Sequence, residues 1–168
     1  DPKLKILVTK EPTDNQYGQQ IKEILRTEKD AKANSAKLLA LFVKDRQLHL
    51  KDEIEPALQS NNIVICDRYY YSTIAFQHTQ GIDLQSIILT NMSFKTPNIT
   101  FILDLPAETA VERINKRGEQ KEKFEQLEFM KELRQNFLNL PEVLEDNIKI
   151  IDASKTKDKV FEQIKQEI

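Results

Sequence analysis

Apolar positions along the chain fall into two kinds of pattern. Four short runs are dense in β-branched side chains and predict strands: residues 5–9 (KILVT), 63–66 (IVIC), 99–103 (ITFIL) and 148–151 (IKII). The second and third are almost continuously apolar, which predicts strands covered on both faces. Between the runs, apolar positions recur every three or four residues, the period of a helix face. Tyr17, Ile21, Ile24 and Leu25 make one stripe, and Ala36, Leu39, Ala40 and Val43 begin a longer one that runs towards Leu50. Ile54 and Leu58 continue that register, but Pro56 lacks a backbone donor and predicts a new helix start. Asp83 predicts a cap for a helix carrying Leu84, Ile87 and Ile88. Pro106 suits the first turn of a helix bearing Val111 and Ile114. Phe124, Leu127, Met130, Leu133 and Phe137 keep helical spacing, and Val160, Phe161, Ile164 and Ile168 close the chain.

Strands alternating with helices predict an α/β layer fold with a largely parallel sheet. At 168 residues the chain reads as a single domain, 1–168, with no repeat, linker or low-complexity tract. Apolar residues at 39% and charged residues at 31% suit a globular protein. The net charge of −2 offers neither a basic nucleic-acid surface nor a polybasic membrane patch, so an anionic ligand must be held by local arginines and lysines. The apolar runs are far shorter than a membrane span. A lone cysteine, Cys66, allows no internal disulfide and predicts a reducing, cytoplasmic setting and an inert core thiol.

Chemistry concentrates where strands are predicted to end. Asp67-Arg68-Tyr69 follows the second run directly, and open α/β sheets bind ligands at the carboxyl ends of their strands. Arg68 can grip a phosphate through two parallel hydrogen bonds, and Asp67 can hold a hydrated Mg²⁺ or orient substrate. A local ion pair that ends the strand is the alternative. Lys10, Glu11 and Pro12 follow the first run in the same way, as site residues or as an ordinary turn. Phe42 and Arg46 share a helix face and could stack on and hydrogen-bond a nucleobase, or be a core ring and a surface cation. Phe76 and Gln77 could line a pocket floor, or be a packed ring and an exposed amide. Arg113, Lys116, Arg117, Lys121 and Lys123 cluster around Gly118, as a phosphate-closing lid needs, but interspersed glutamates also fit a salt-bridged exposed helix. His49 and His78 lack the spacing to a cysteine or second histidine that suggests zinc.

Taken in order, these segments resemble the thymidylate kinase family over essentially all 168 residues. TKEPTDNQYGQQIKEIL resembles the family's TREP-type segment, with Lys10 where Arg is usual and Thr13 where Gly often follows. LLALFVKDRQLHLKDEIEPALQSNNIVICDRYYYSTIAFQ resembles its long helix, proline-containing turn, third strand and Asp-Arg motif. FILDLPAETAVERINKRGEQKEKFE resembles the next strand, helix and lid, and IIDASKTKDKVFEQIKQEI the last strand, nucleotide-base loop and terminal helix. Residues 81–97 are the least typical.

The resemblance implies a P-loop kinase-like three-layer fold and a cytoplasmic homodimer that uses ATP and Mg²⁺ to phosphorylate dTMP to dTDP. It matches Phe42 to the ring that stacks on thymine, Arg46 to the residue that hydrogen-bonds the base, and Arg68 to the residue that binds the monophosphate. Asp67 matches the acidic partner of metal and acceptor phosphate, with a catalytic role. Glu11 and Pro12 match the loop beside the monophosphate and sugar. Phe76 and Gln77 match pocket positions where Tyr and Gln are frequent, the aromatic favouring a deoxyribose. Residues 113–125 match the lid, placing Arg113 and Arg117 at ATP and Arg117 and Lys123 at the transferring phosphoryl group. The usual Asp-Arg-Phe-Glu reads Glu122-Lys123-Phe124-Glu125 here, so Lys123 brings a point charge in place of a planar fork and Arg117 is the better clamp. The alternatives are a kinase for another nucleoside or nucleotide, and a non-catalytic nucleotide-binding homologue.

The family opens with a strand and a glycine-rich loop, Gly-x-x-x-x-Gly-Lys-Ser/Thr, whose N–H groups cradle the ATP phosphates. These residues contain no such pattern. The expectation is therefore a portion of a longer protein, with central strand, loop and helix upstream of Asp1, and no activity without them. That central strand would lie between the strands at 63–66 and 99–103, so those two are not expected to pair directly.

Overall fold

The structure, a computed structural model, describes residues 5–27, 33–116 and 123–168, with backbone alone for 123–126. The chain forms two compact units, Asp1–Phe94 and Lys95–Ile168.

In the first unit, β1 (Ile6–Lys10) leads through a loop to α1 (Gln16–Thr27) and then α2 (Ser35–His49). A π-helical turn (Leu50–Ile54) joins α2 to α3 (Glu55–Gln59), and β2 (Ile63–Asp67), α4 (Tyr70–Thr79) and α5 (Leu84–Asn91) follow. β1 and β2 run parallel, with Ile6 opposite Ile63 and Lys10 opposite Asp67, so both strands deliver their carboxyl ends to one edge. The expected helix break at Pro56 takes a different form. The backbone stays helical through His49, Ile54 and Glu55, and the ladder widens so that the Glu55 N–H reaches Leu50 O. Pro56 has no N–H to donate back to residue 52, so a wider turn ahead of it keeps the helix running.

The helices are placed by a few close contacts. Ile21, Leu38 and Leu41 form the buried seam between α1 and α2, with Tyr17, Ile24 and Phe42 packed against it. Leu25, expected on that stripe, is exposed. Gly18 permits the approach, because a Cβ there would sit 2.1 Å from Thr13 O. Asp83 caps α5 as expected, its carboxylate accepting the Ser86 N–H at 2.9 Å.

The sheet corrects one expectation. The apolar run of β2 predicts cover on both faces, but its burial alternates, with Ile63 and Ile65 exposed beside Ile6 and Val8 of β1. Only the opposite pleat, carrying Val64 and Cys66, is half-buried.

The second unit contains β3 (Thr100–Asp104), α6 (Ala107–Lys116), α7 (Lys123–Leu138), α8 (Leu140–Val143), β4 (Ile148–Asp152) and α9 (Lys157–Gln166). β3 and β4 are parallel, with Ile102 opposite Ile150. Ile102, Ile151, Val111, Leu133 and Leu140 supply its buried apolar residues. The four strands thus lie in two parallel two-stranded sheets, β1–β2 and β3–β4, and neither sheet holds both β2 and β3. All four lie within a residue or so of their predicted positions. Among the described residues no helix is long and apolar enough to cross a membrane.

Candidate active site

The ladder between β1 and β2 runs one residue past the strands, where the Glu11 N–H donates to Asp67 O at 3.0 Å. Glu11 then turns inward, its side chain only 2% exposed. A carboxylate so deep requires a charged partner, and Arg46 of α2, itself 1% exposed, supplies it. Its Nε and Nη2 both donate to Glu11 Oε2, at 3.0 and 2.6 Å. Nη1 donates to Asn91 Oδ1 at 2.7 Å and Nη2 to Thr73 Oγ1 at 3.0 Å. The rings of Tyr69 and Phe94 lie 5.0 and 5.4 Å from the guanidinium carbon. The other carboxylate oxygen, Oε1, faces His49 Nδ1 at 3.1 Å. His49 Nε2 reaches Thr9 Oγ1 at 2.8 Å and Glu53 Oε2 at 3.3 Å, and the Thr9 hydroxyl donates to that same Glu53 oxygen at 3.1 Å.

A second anchor lies one residue earlier on α2. The buried Asp45 carboxylate accepts the Thr13 N–H at 3.0 Å and the Thr13 hydroxyl at 2.6 Å. Helix α2 therefore pins the loop after β1 at both Glu11 and Thr13. Next to this loop is an open cavity of about 470 Å³ lined by Val8, Thr9, Lys10, Thr13, Asp14, Glu53 and Asp67. Asp67 and Lys10, from the paired strand ends, put opposite charges on its wall.

Arg68 adopts the left-handed backbone region, with φ of 68°, which costs a non-glycine residue about 1–3 kcal/mol. Its side chain is exposed and lies 5.7 Å over the Phe76 ring. Among the described residues no carboxylate forms an ion pair with it. The ion-pair alternative for Asp67-Arg68 thus has no support in the geometry. Gln77 is 1% exposed; its amide nitrogen donates to Gln80 Oε1 at 2.8 Å, and its Oε1 has no hydrogen-bond partner among the described residues. The exposed-amide alternative for Gln77 fails on that burial. Phe42 is half-buried against the α1–α2 seam. Cys66 is partly exposed rather than a core thiol; desolvation, and then the Glu11 charge, push its pKa up to about 12. Desolvation raises Tyr69 in the same way.

In the second unit Arg113 is exposed on α6. Arg134 grips Asp104, at the end of β3, through two bonds of 2.7 and 2.8 Å, and those bonds hold the Asp104 carboxyl below the usual carboxylate range. Arg117 and Lys121 fall outside the described residues, as does all of the expected lid from 117 to 122, and Lys123 is described only as the backbone start of α7.

Spacing could have exposed more of this site. Phe42, Arg46, His49 and Glu53 recur at intervals of 4, 3 and 4, one helix face throughout. Only the first pair is singled out by the sequence reading. Thr73 and Asn91, which complete the shell around Arg46, carry no local signal.

The parallel pairing of β1 and β2 brings Lys10, Glu11, Asp67 and Arg68 to one strand edge, the place where open α/β sheets hold their ligands. A sequence model of the thymidylate kinase family matches residues 2–164. A probable thymidylate kinase of Archaeoglobus fulgidus is 36% identical over 165 residues, covering 98% of this chain and 80% of that protein. One from Pyrococcus abyssi is 35% identical over 162 residues, covering 95% and 78%. A thymidylate kinase of Sulfurihydrogenibium sp. is 34% identical over 153 residues, covering 89% and 74%. The chain belongs to the thymidylate kinase family.

Proposed function

We propose that this protein phosphorylates dTMP to dTDP with ATP, and that the unit Asp1–Phe94 binds the acceptor. The observation that carries the reading is Arg68, an exposed guanidinium with no carboxylate partner among the described residues, held on strained backbone beside Asp67 at the strand edge. Arg68 grips the monophosphate. Phe42 stacks on the base and Arg46, its guanidinium fixed by Glu11, reads the base edge. Glu11 and Pro12 shape the loop beside sugar and phosphate. Phe76 and Gln77 flank the deoxyribose, and the unpartnered Gln77 Oε1 supports a polar ligand contact there.

The acceptor is a phosphate oxygen, already nucleophilic, so no side chain need remove a proton from it. Catalysis is then positioning and neutralisation of charge on the transferring group. Arg117 and Lys123 supply that charge, and Arg113 and Arg117 contact ATP. Mg²⁺ fits the chemistry of Asp67: the ion binds through one or two carboxylates and keeps waters and substrate phosphates as its other ligands. In this reading Asp67 is the side chain that would hold it. Bound there, Mg²⁺ would offset phosphate charge. A cytoplasmic homodimer completes the proposal.

The test is calorimetric binding across dTMP, dUMP, UMP, thymidine and CMP, alongside ADP production from ATP. Preference for dTMP in binding is the expected result, with ADP production expected only where the family's glycine-rich loop is also present. No preference for dTMP would refute the acceptor assignment, and dTMP binding without ADP production even with that loop present would favour a non-catalytic nucleotide binder.

A further inference from the structure

Beyond the residues given roles above, we propose that His49 is a positioning residue for nucleobase recognition: its Nδ1–H orients Glu11, and Glu11 in turn aims Arg46. The inference rests on the reading of Arg46 as the base-contacting residue. Glu11 is held at both ends of its carboxylate. Oε2 takes two N–H groups of Arg46, and Oε1 takes His49 Nδ1. Because a carboxylate paired with a guanidinium is an acceptor only, Nδ1 must carry the proton. The imidazole is itself fixed, its side chain 0% exposed and its far nitrogen 2.8 Å from Thr9 Oγ1.

Two points separate this role from simple core filling. A buried ring chosen for packing has no need to place both nitrogens on polar partners, and an apolar side chain would avoid the desolvation. The ring also links two sets of residues, since Thr9 and Glu53 on one side of it line the cavity while Glu11 and its partner Arg46 on the other are buried. Without His49, Glu11 Oε1 would face a dry space with no donor. The carboxylate would then be free to rotate, and the guanidinium would lose the anchor that fixes its plane. Misplacement of a positioned group by about 1 Å is enough to cost a large factor in ligand recognition or rate.

The histidine ring can be divided by substitution. Asn places an amide nitrogen near the Nδ1 position and retains a donor for Glu11. Gln places its terminal amide near Nε2, where the oxygen or nitrogen can keep the contact with Thr9 alone. Binding of dTMP and of thymidine to the full chain is measured by calorimetry for His49→Ala, His49→Gln and His49→Asn, each with its urea-unfolding midpoint. The expected result is roughly tenfold weaker binding of both ligands for Ala and Gln, a factor corresponding to one lost buried hydrogen bond, and near-native binding for Asn. Thymidine should lose as much as dTMP, because the base contact and not the phosphate contact is disturbed. Equal affinities for Asn and Gln, or affinities that track the unfolding midpoints, would overturn the proposal. Arg46→Ala is the control. If it leaves dTMP affinity unchanged, the base-reading role of Arg46 fails and this inference with it. If Arg46→Ala weakens binding while His49→Ala does not, this inference alone fails.

Discussion

Glu11→Gln tests the centre of the first unit with the least change in shape. The substitution keeps the side-chain volume and removes one charge. His49 can re-pair with the new amide by changing tautomer, so the loss isolates the Arg46 cation, 1% exposed and now facing a neutral group. Breaking one side of a buried ion pair costs about 3–5 kcal/mol. Domains of this kind have only ~5–15 kcal/mol in total. With a urea dependence of about 1–3 kcal/mol per molar, the midpoint should fall by roughly 2 M. The optical signal is specific: the four tyrosines, Tyr17, Tyr69, Tyr70 and Tyr71, all lie in the unit Asp1–Phe94, and the chain has no tryptophan. Tyrosine fluorescence therefore reports this unit alone. The double variant Glu11→Leu with Arg46→Met removes both charges and should lose less than the sum of the two single changes. A Glu11→Gln protein that unfolds within about 1 kcal/mol of the native one would refute the buried pair, since that is the scale of an exposed contact.

Three further outcomes are expected. Arg68→Ala should weaken dTMP binding by about 1.5–3 kcal/mol and thymidine binding far less, because only dTMP carries the phosphate; equal losses by calorimetry would remove Arg68 from the phosphate site. Cys66, raised from an ordinary 9.0 to about 12, should have about a thousandfold less thiolate at neutral pH, so iodoacetamide should modify it far more slowly in the native protein than in urea; similar rates would contradict its desolvation. Asp104 has its folded pKa lowered below 3.8 by Arg134, so the stability it contributes is present above that value and lost as pH falls through the lower folded one. Asp104→Asn should accordingly cost up to about 1 kcal/mol at neutral pH, the pair being partly exposed, and the difference from native should vanish in acid; a difference that persists there, followed by far-ultraviolet circular dichroism, would refute the linkage.

Local rules carried most of the backbone. β-branched runs located all four strands, and Asp83 was recognisable as a cap because an N-cap carboxylate needs only the next three residues. What escaped depended on residues far apart in sequence. Glu11 and Arg46 are 35 positions apart, and Arg46 and Asn91 are 45, so no periodicity couples them. Arg46 looks like a surface cation until its partners are placed around it. The exposure of Ile63 and Ile65 was equally hidden, because an apolar run states what a strand can bury and not what arrives to cover it. Family resemblance, by contrast, singled out Arg68 and Asp67 at the strand edge, where the fold does bring them beside Glu11.

The left-handed backbone at Arg68 makes that position a natural readout of competing selection pressures. Glycine enters this conformation without steric penalty, and asparagine with little, so either should raise thermal resistance while discarding the guanidinium. A library randomised at residue 68 and sorted only for survival of heating should drift to glycine. The same library sorted for growth that depends on the enzyme making its product should return arginine and accept the lower melting point. The separation between the two populations would measure, at a single residue, how much folding stability this protein gives up to keep a cation at that strand edge.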